Sequence, residues 1–300
     1  MKKKQSIRHM KQQAVISKCL MNLIVVSYGG AACQTVRWNN YRQKRLISNY
    51  EEAVTQAEES IDYEAEWKKA HDYNEALLPS ILPDSFAVAA ASEEEDEVYM
   101  SCLNLAGNGV MGYVEIPKID IKLPVFHGTD EKVLEQAAGH LEGSSLPVGG
   151  VNTHAVISAH RGLPSASLFT DLDRLEEGDH FLLYILDDIL CYEVDRVSVV
   201  EPEETEGLSV VDGEDLVTLL TCTPYGVNTQ RLLVRGSRIP YVPEEAEAYR
   251  QTIQMAAISG PGVKLQYIGA AAGAVFLILI LMIAAPIRRR RRNREARHAE

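Results

Sequence analysis

The chain has 300 residues, 46% of them hydrophobic, and carries 42 acidic against 30 basic side chains for a formal net charge of -12. That length accommodates one ordinary core plus segments outside it, rather than two full domains. The charge is segregated: residues 1–45 hold ten Lys/Arg and no acid, residues 288–297 hold seven Arg against Glu295, and between them 13 bases face 40 acids. An acidic middle section excludes a nucleic-acid-binding surface there.

Taken in chain order, residues 1–18 form a basic N-terminus, and 19–36 are an uncharged stretch following Lys2, Lys3, Lys4, Arg8, Lys11 and Lys18. This pattern predicts a transmembrane signal-anchor. A cleaved signal peptide is the competing reading; Ala31-Ala-Cys33 hints at a lipoprotein site, but Gly30 stands where such a site wants Leu or Val. Between 44 and 78, Tyr50, Val54, Ala57, Ile61 and Ala65 recur at helical spacing with Glu and Lys between them, which predicts one amphipathic helix packed on the following domain. Residues 79–108 contain Pro79, Pro83 and the acidic run Glu93–Glu97 without either period, and read as a long irregular segment.

From Gly112 the β period dominates. Strands are expected at Val114–Ile116, along Ile119/Ile121/Leu123/Val125, and at Ala155–Ala159, Phe181–Leu186, Leu190–Val200, Leu216–Thr221 and Arg231–Ile239. Brief helices are expected near 130–138, with Thr129 as N-cap and Gly139 as terminator, and near 166–175. Strands so spaced point to a mostly-β, closed or nearly closed barrel over 109–242. A juxtamembrane segment, 243–264, leads to 23 consecutive uncharged residues, 265–287, long enough at about 1.5 Å per residue to span a bilayer. The Arg-rich tail 288–300 follows at once and places the C-terminus on the cytoplasmic side. The expected topology is thus two-pass in the cell membrane, with both termini inside and the acidic middle outside.

Cysteine usage sharpens the reading. Cys19 and Cys33 fall in the first expected span, which leaves Cys102, Cys191 and Cys222 outside, an odd number that leaves at least one thiol without an intrachain partner. Cys222 follows the strand ending at Thr221, and a loop marked by Pro224, Gly226 and Asn228 leads to Arg231 at the start of the next strand. If those strands form a hairpin, Cys222 and Arg231 meet across its mouth. A guanidinium there favours thiolate over thiol and offers donors to an oxyanion. Cysteine acyl transfer also needs a proton carrier. Among His127, His140, His154, His160 and His180, His160 ends an extended run and opens a loop, where catalytic groups commonly sit. Spacing alone leaves open a buried, inert cysteine and a solvated arginine, with Arg235 and Arg238 as rivals to Arg231.

The stretch Thr218-Leu-Leu-Thr-Cys-Thr-Pro-Tyr-Gly-Val-Asn-Thr-Gln-Arg-Leu-Leu-Val-Arg-Gly236 resembles the active-site signature of class C, pilin-polymerising sortases. Met111-Gly-Tyr-Val-Glu-Ile-Pro-Lys118, Leu123-Pro-Val-Phe-His-Gly-Thr129, His140-Leu-Glu-Gly-Ser-Ser-Leu-Pro147 and His160-Arg-Gly-Leu-Pro-Ser165 resemble the same family, so the likeness covers roughly 73–240. It implies a sortase-type closed β-barrel, with short helices and an N-terminal helical and lid extension over 37–108. It also implies that Cys222 is the nucleophile, His160 the acid/base and Arg231 the oxyanion partner. Ala159 and Gln230 depart from the glycine and histidine usual beside the catalytic residues. The lid's Asp-Pro-aromatic motif falls on Asp84-Ser85-Phe86, so Asp84 is expected on Arg231 and Phe86 over Cys222, with Ser85 in the proline's place.

The implied function is a cysteine transpeptidase that cleaves an LPXTG-like sorting signal between Thr and Gly through a thioester and passes the acyl group to a pilin lysine. Implied partners are pilin subunits and the lipid bilayer, with no nucleic acid. No cofactor or metal is expected; the cluster Glu201, Glu203, Glu204 and Glu206 lacks regular Ca²⁺-ligand spacing. Two alternatives stand beside this reading: a housekeeping-type sortase that anchors proteins to cell-wall peptide, and a non-enzymatic membrane scaffold.

Overall fold

The computed structural model describes residues 35–56, 62–77, 84, 86 and 97–259. Residues 35–56 are helical (α1), followed by α2 (Tyr63–Ala76) and the short α3 (Glu97–Ser101). Eight strands then run β1 (Val110–Ile116), β2 (Ile121–His127), β3 (Ala138–His140), β4 (Thr153–Ser158), β5 (His180–Ile185), β6 (Asp188–Val200), β7 (Asp215–Thr223) and β8 (Gln230–Ile239). The four-residue helix α4 (Glu131–Leu134) lies between β2 and β3. Chain contacts divide at Tyr241/Val242, and the second unit contains α5 (Pro243–Ser259), described by itself: a helix with Glu244 and Glu245 in its first turn.

The strands close into a barrel in the order β1-β2-β3-β4-β7-β8-β6-β5. Two neighbouring pairs, β2/β3 and β4/β7, are parallel, and the remaining pairs are antiparallel. Alternation sorts the side chains: Val217 and Leu219 of β7 and Leu232 and Val234 of β8 fill the barrel with Val114, Ile157, Leu183 and Val194. The intervening Leu220 and Leu233 face outward and join Leu141, Val156 and Leu208 in a separate apolar cluster on the barrel's outer wall. Both faces of β1 are covered, because Val110 and Tyr113 pack outside against Ile47 and Tyr50 of α1.

The expected helix over 44–78 is two helices, not one. Asp62 adopts an extended backbone and its carboxylate accepts from the Ala65 amide, which starts α2 afresh. Both helices pack on the barrel, α1 through Ile47 and Tyr50 and α2 through Ala70. Ile119 is not in a strand: Pro117–Ile119 is a single 3-10 turn closed by Asp120 in the left-handed region, so β2 begins at Ile121. The helix expected over 130–138 ends at Leu134, with Asp130 rather than Thr129 at its N-cap, and Gly139 lies within β3. A Cβ on Gly139 would fall 2.2 Å from the Gly128 carbonyl oxygen, so only glycine lets β3 approach there.

Near 166–175 the described helix is the 3-10 turn Leu172–Arg174. Residues 19–34 and 265–287 of the two expected spans, and Ser85, lie outside the described residues. Among the described residues no helix is long and apolar enough to cross a membrane.

Candidate active site

The antiparallel β7/β8 hairpin pairs Cys222 directly with Arg231 and Thr223 with Gln230. Both Cys222 and Arg231 alternate onto the outward face that carries Leu220 and Leu233. Cys222 is 7% exposed and Arg231 9%, so the pair sits in a recess of the outer wall rather than in open solvent. None of Cys102, Cys191 and Cys222 is in a disulfide.

His160 lies two residues beyond the end of β4. The strand exit is fixed to β7 by the Ala159 amide donating to the Leu220 carbonyl at 3.1 Å and by the Thr221 hydroxyl donating to the Ala159 carbonyl at 2.7 Å. These bonds bring the His160 backbone to the end of β7 that carries Cys222.

The other histidines serve elsewhere. His154 is at the opposite end of β4, paired with Leu216 in register and hydrogen-bonded to Thr218 Oγ1 and the Ser209 carbonyl. His127 and His140 flank Tyr99, whose hydroxyl meets His140 Nδ1 at 2.9 Å, while His180 pairs with Glu193. Arg235, the nearer rival to Arg231, is paired bidentately with Asp195, and Arg238 lies over the Tyr192 ring.

Two residues from the segment before the barrel close the recess. Asp84 accepts two hydrogen bonds from Arg231, Nε to Oδ1 and Nη2 to Oδ2, each 2.7 Å, in a fork-to-fork pair whose side chains are 11% and 10% exposed. Phe86 stacks on the His160 ring with centroids 5.3 Å apart, lies 5.2 Å from the Arg231 guanidinium carbon, and packs on the outer apolar cluster. Asp84 is therefore on Arg231, as the resemblance implied, and the Phe86 ring lies on His160 and Arg231.

The electrostatics follow from this closure. Burial pushes the Cys222 thiol above its ordinary value; the neighbouring Arg231 charge pulls it down, and Asp84 opposes that pull. Burial holds His160 below the usual imidazole value, against a weaker upward effect of Glu135 and Glu131. Burial thus favours a neutral thiol and a neutral imidazole at rest, with Arg231 occupied by a carboxylate.

Two features of the site escape a strand-by-strand reading of the sequence. One is the apolar floor of Leu141, Val156, Leu208, Leu220 and Leu233, assembled from five separated segments. The other is Arg161, whose Nη1 donates to Thr223 Oγ1 at 3.2 Å and Nε to the Thr170 carbonyl at 3.0 Å, while Nη2 pairs with Asp173. The only local sign of its placement is its position beside His160 in a loop otherwise rich in small residues.

A closed eight-stranded barrel with a Cys/Arg hairpin and a histidine at the exit of a neighbouring strand defines a class of thiol acyl-transfer proteins, and comparison with known proteins gives that class its name. Residues 114–239 match the family described as Sortase domain. The solved sortase C of Streptococcus pneumoniae is 45% identical, with 66% of this chain and 97% of that one covered at a TM-score of 0.57. Sortase C1 of Streptococcus agalactiae is likewise 45% identical, covering 66% of this chain and 100% of that one at a TM-score of 0.57. Sortase D of Bacillus subtilis is 30% identical over 131 residues, 43% of this chain, and the match spans 63% of that relative's length. The chain belongs to the sortase family of cysteine transpeptidases, in its class C branch.

Proposed function

We propose that this chain is a pilin-polymerising transpeptidase. Its reading is that Cys222 attacks the Thr–Gly carbonyl of an LPXTG-like sorting signal and hands the acyl group to a lysine amine of a second subunit. The observation that carries it is the direct cross-strand pairing of Cys222 with Arg231. The lid pair Asp84/Phe86 and the similarity to a sortase C whose structure was described in terms of pilin substrate specificity support the pilin assignment.

On this reading both the thiol and the imidazole start neutral, as burial of each favours. As Sγ adds to the carbonyl carbon, the thiol proton passes to the neutral His160, and the carbonyl oxygen takes the negative charge. Arg231 must by then have exchanged Asp84 for that oxyanion, since both compete for the same guanidinium fork. Imidazolium His160 next protonates the leaving glycine amine, the C–N bond breaks and the thioester remains. The lysine amine then adds, loses a proton to His160, and expels the Cys222 thiolate, which is reprotonated. The outer-wall apolar cluster beneath Phe86 offers a surface for the apolar residues of the signal once the lid lifts.

On this reading the catalytic barrel works outside the cell membrane, with both termini cytoplasmic, close to membrane-tethered substrates. The charge segregation and the uncharged stretches 19–36 and 265–287 support that placement.

The test is incubation of the full chain in detergent with a sorting-signal peptide plus either a lysine-bearing pilin module or a wall-peptide amine, followed by mass spectrometry. A Cys222-linked thioester and an isopeptide product with the pilin module are expected, both absent in Cys222→Ala. Preferential transfer to the wall peptide would establish the housekeeping role instead, and no thioester at all would refute transpeptidation.

A further inference from the structure

Two arginines stand within one residue of a proposed reactive group or on it, and their partners differ in kind. Arg231 is held by Asp84, a residue of the segment before the barrel, and in the proposed reaction it exchanges that partner for the oxyanion. Arg161 has each of its three nitrogens bound to the frame: Nε to the Thr170 carbonyl, Nη1 to Thr223 Oγ1 and Nη2 to the Asp173 carboxylate. Its side chain is only 8% exposed, and its guanidinium carbon lies 5.9 Å from the centroid of the Tyr225 ring.

These contacts span the site. Arg161 is covalently next to His160, and Thr223 is covalently next to Cys222, so the Arg161–Thr223 bond links the neighbour of the proton carrier to the neighbour of the nucleophile. The same guanidinium gathers the returning loop, through Thr170 and Asp173, and the β7/β8 turn, through Tyr225. Gly162 makes the stacking possible: it has φ +78°, and a Cβ there would come within 2.9 Å of the Tyr225 ring. The Asp173 carboxylate balances the Arg161 charge, which leaves Arg231 as the uncommitted cation after lid opening.

We propose that Arg161 is a positioning residue: it acts through Thr223 and the 160–173 loop to fix the placement of His160 relative to Cys222. The proposal rests on the transpeptidase reading above. It predicts a defect in proton transfer, not in signal binding, because Arg161 donates to the frame and not toward the recess. A planar fork is required, since the three acceptors are spread around three separate guanidinium nitrogens and a single ammonium nitrogen cannot reach all of them at once.

The experiment measures single-turnover thioester formation by the full chain in detergent, across peptide concentration and pH, with thermal unfolding alongside. Arg161→Lys should slow acylation by about tenfold or more at unchanged KM and displace the His160-dependent limb of the pH profile. Thr223→Val removes only the acceptor on the nucleophile strand and should slow acylation by several-fold to about tenfold, while Thr223→Ser restores it to within about twofold. Arg161→Lys and Thr223→Val both acylating within about twofold of the wild type would overturn the proposal. So would a slow Thr223→Ser, a rise in KM at unchanged maximal rate, or losses that merely track the folded fraction. A wild type that forms no thioester refutes the transpeptidase reading itself, and the positioning role with it.

Discussion

At the scale of single residues, the Asp84–Arg231 contact bears on the state of Cys222 at rest. Asp84 acts on the thiol in two ways: it occupies the guanidinium that would favour thiolate, and its own charge disfavours thiolate. Charge-assisted hydrogen bonds contribute about 1.5–3 kcal/mol each, and a cation over a ring about 1 kcal/mol more. A net hold of about 3 kcal/mol would leave the recess open about 1% of the time. Asp84→Ala combined with Phe86→Ala should therefore raise the alkylation rate of Cys222 at neutral pH on the order of 100-fold. The double change should also move the labelling curve to lower pH, because removing a neighbouring negative charge lowers the thiol's titration point. Iodoacetamide labelling followed by mass spectrometry of the Cys222 peptide checks this, and unchanged labelling would remove the lid from the account. The Cys222/Arg231 juxtaposition is legible in the sequence because a hairpin is a local object: eight intervening residues with turn chemistry bring its ends together. The Asp84–Arg231 bond joins residues 147 apart, and only the family likeness pointed to it. The Arg161–Thr223 bond joins residues 62 apart and had no pointer of that kind.

At the scale of elements, α3 is a five-residue helix that would be marginal alone, and Tyr99 is its buried residue. Tyr99 is fully buried between His127 and His140; its hydroxyl meets His140 Nδ1 at 2.9 Å and accepts from the Gly128 amide at 2.9 Å. Tyr99→Phe keeps the ring but leaves that amide and ring nitrogen without this partner, at a cost of about 1–3 kcal/mol. Chemical denaturation should register the loss as a lower midpoint at unchanged slope, and an unaltered midpoint would mean the hydroxyl carries no net stability. The element-level misses have physical causes of the same kind. The periodic pattern over 44–78 continues past a break because the restart at Asp62 depends on one capping hydrogen bond, which periodicity does not register. The β3 segment reads as the end of a helix because its three residues become a strand only by pairing with β2 and β4, a long-range cause that outweighs local preference.

At the scale of the whole molecule, acid should weaken the fold through its buried histidines. His140 is fully enclosed and held down to about 4, and burial also lowers His127 and His154. A histidine whose folded value lies below its unfolded value of about 6.5 leaves stability intact above that value, and the unfolded chain gains protons first as the pH falls. Stability should accordingly be full near pH 7 and decline between about 6.5 and 4, with His140 alone costing about 2 kcal/mol by pH 5. Thermal unfolding at a series of pH values tests the direction, and His140→Gln should flatten the decline if it remains folded. A melting temperature that rises on acidification would contradict the assignment.

The closed strand order has a further consequence for recognition. β7, the strand of Cys222, is paired along one edge with β4 from Asp215 to Leu220 and along the other with β8 from Leu216 to Thr223, so this strand offers an extended peptide no long row of unpaired backbone groups to join as an extra strand. A peptide lying along the outer wall of β7 is read by its side chains, residue by residue, and main-chain pairing with that strand contributes no ladder common to all sequences. Selectivity and affinity then come from the same few contacts, and a single mismatched side chain in the ligand forfeits a large share of both.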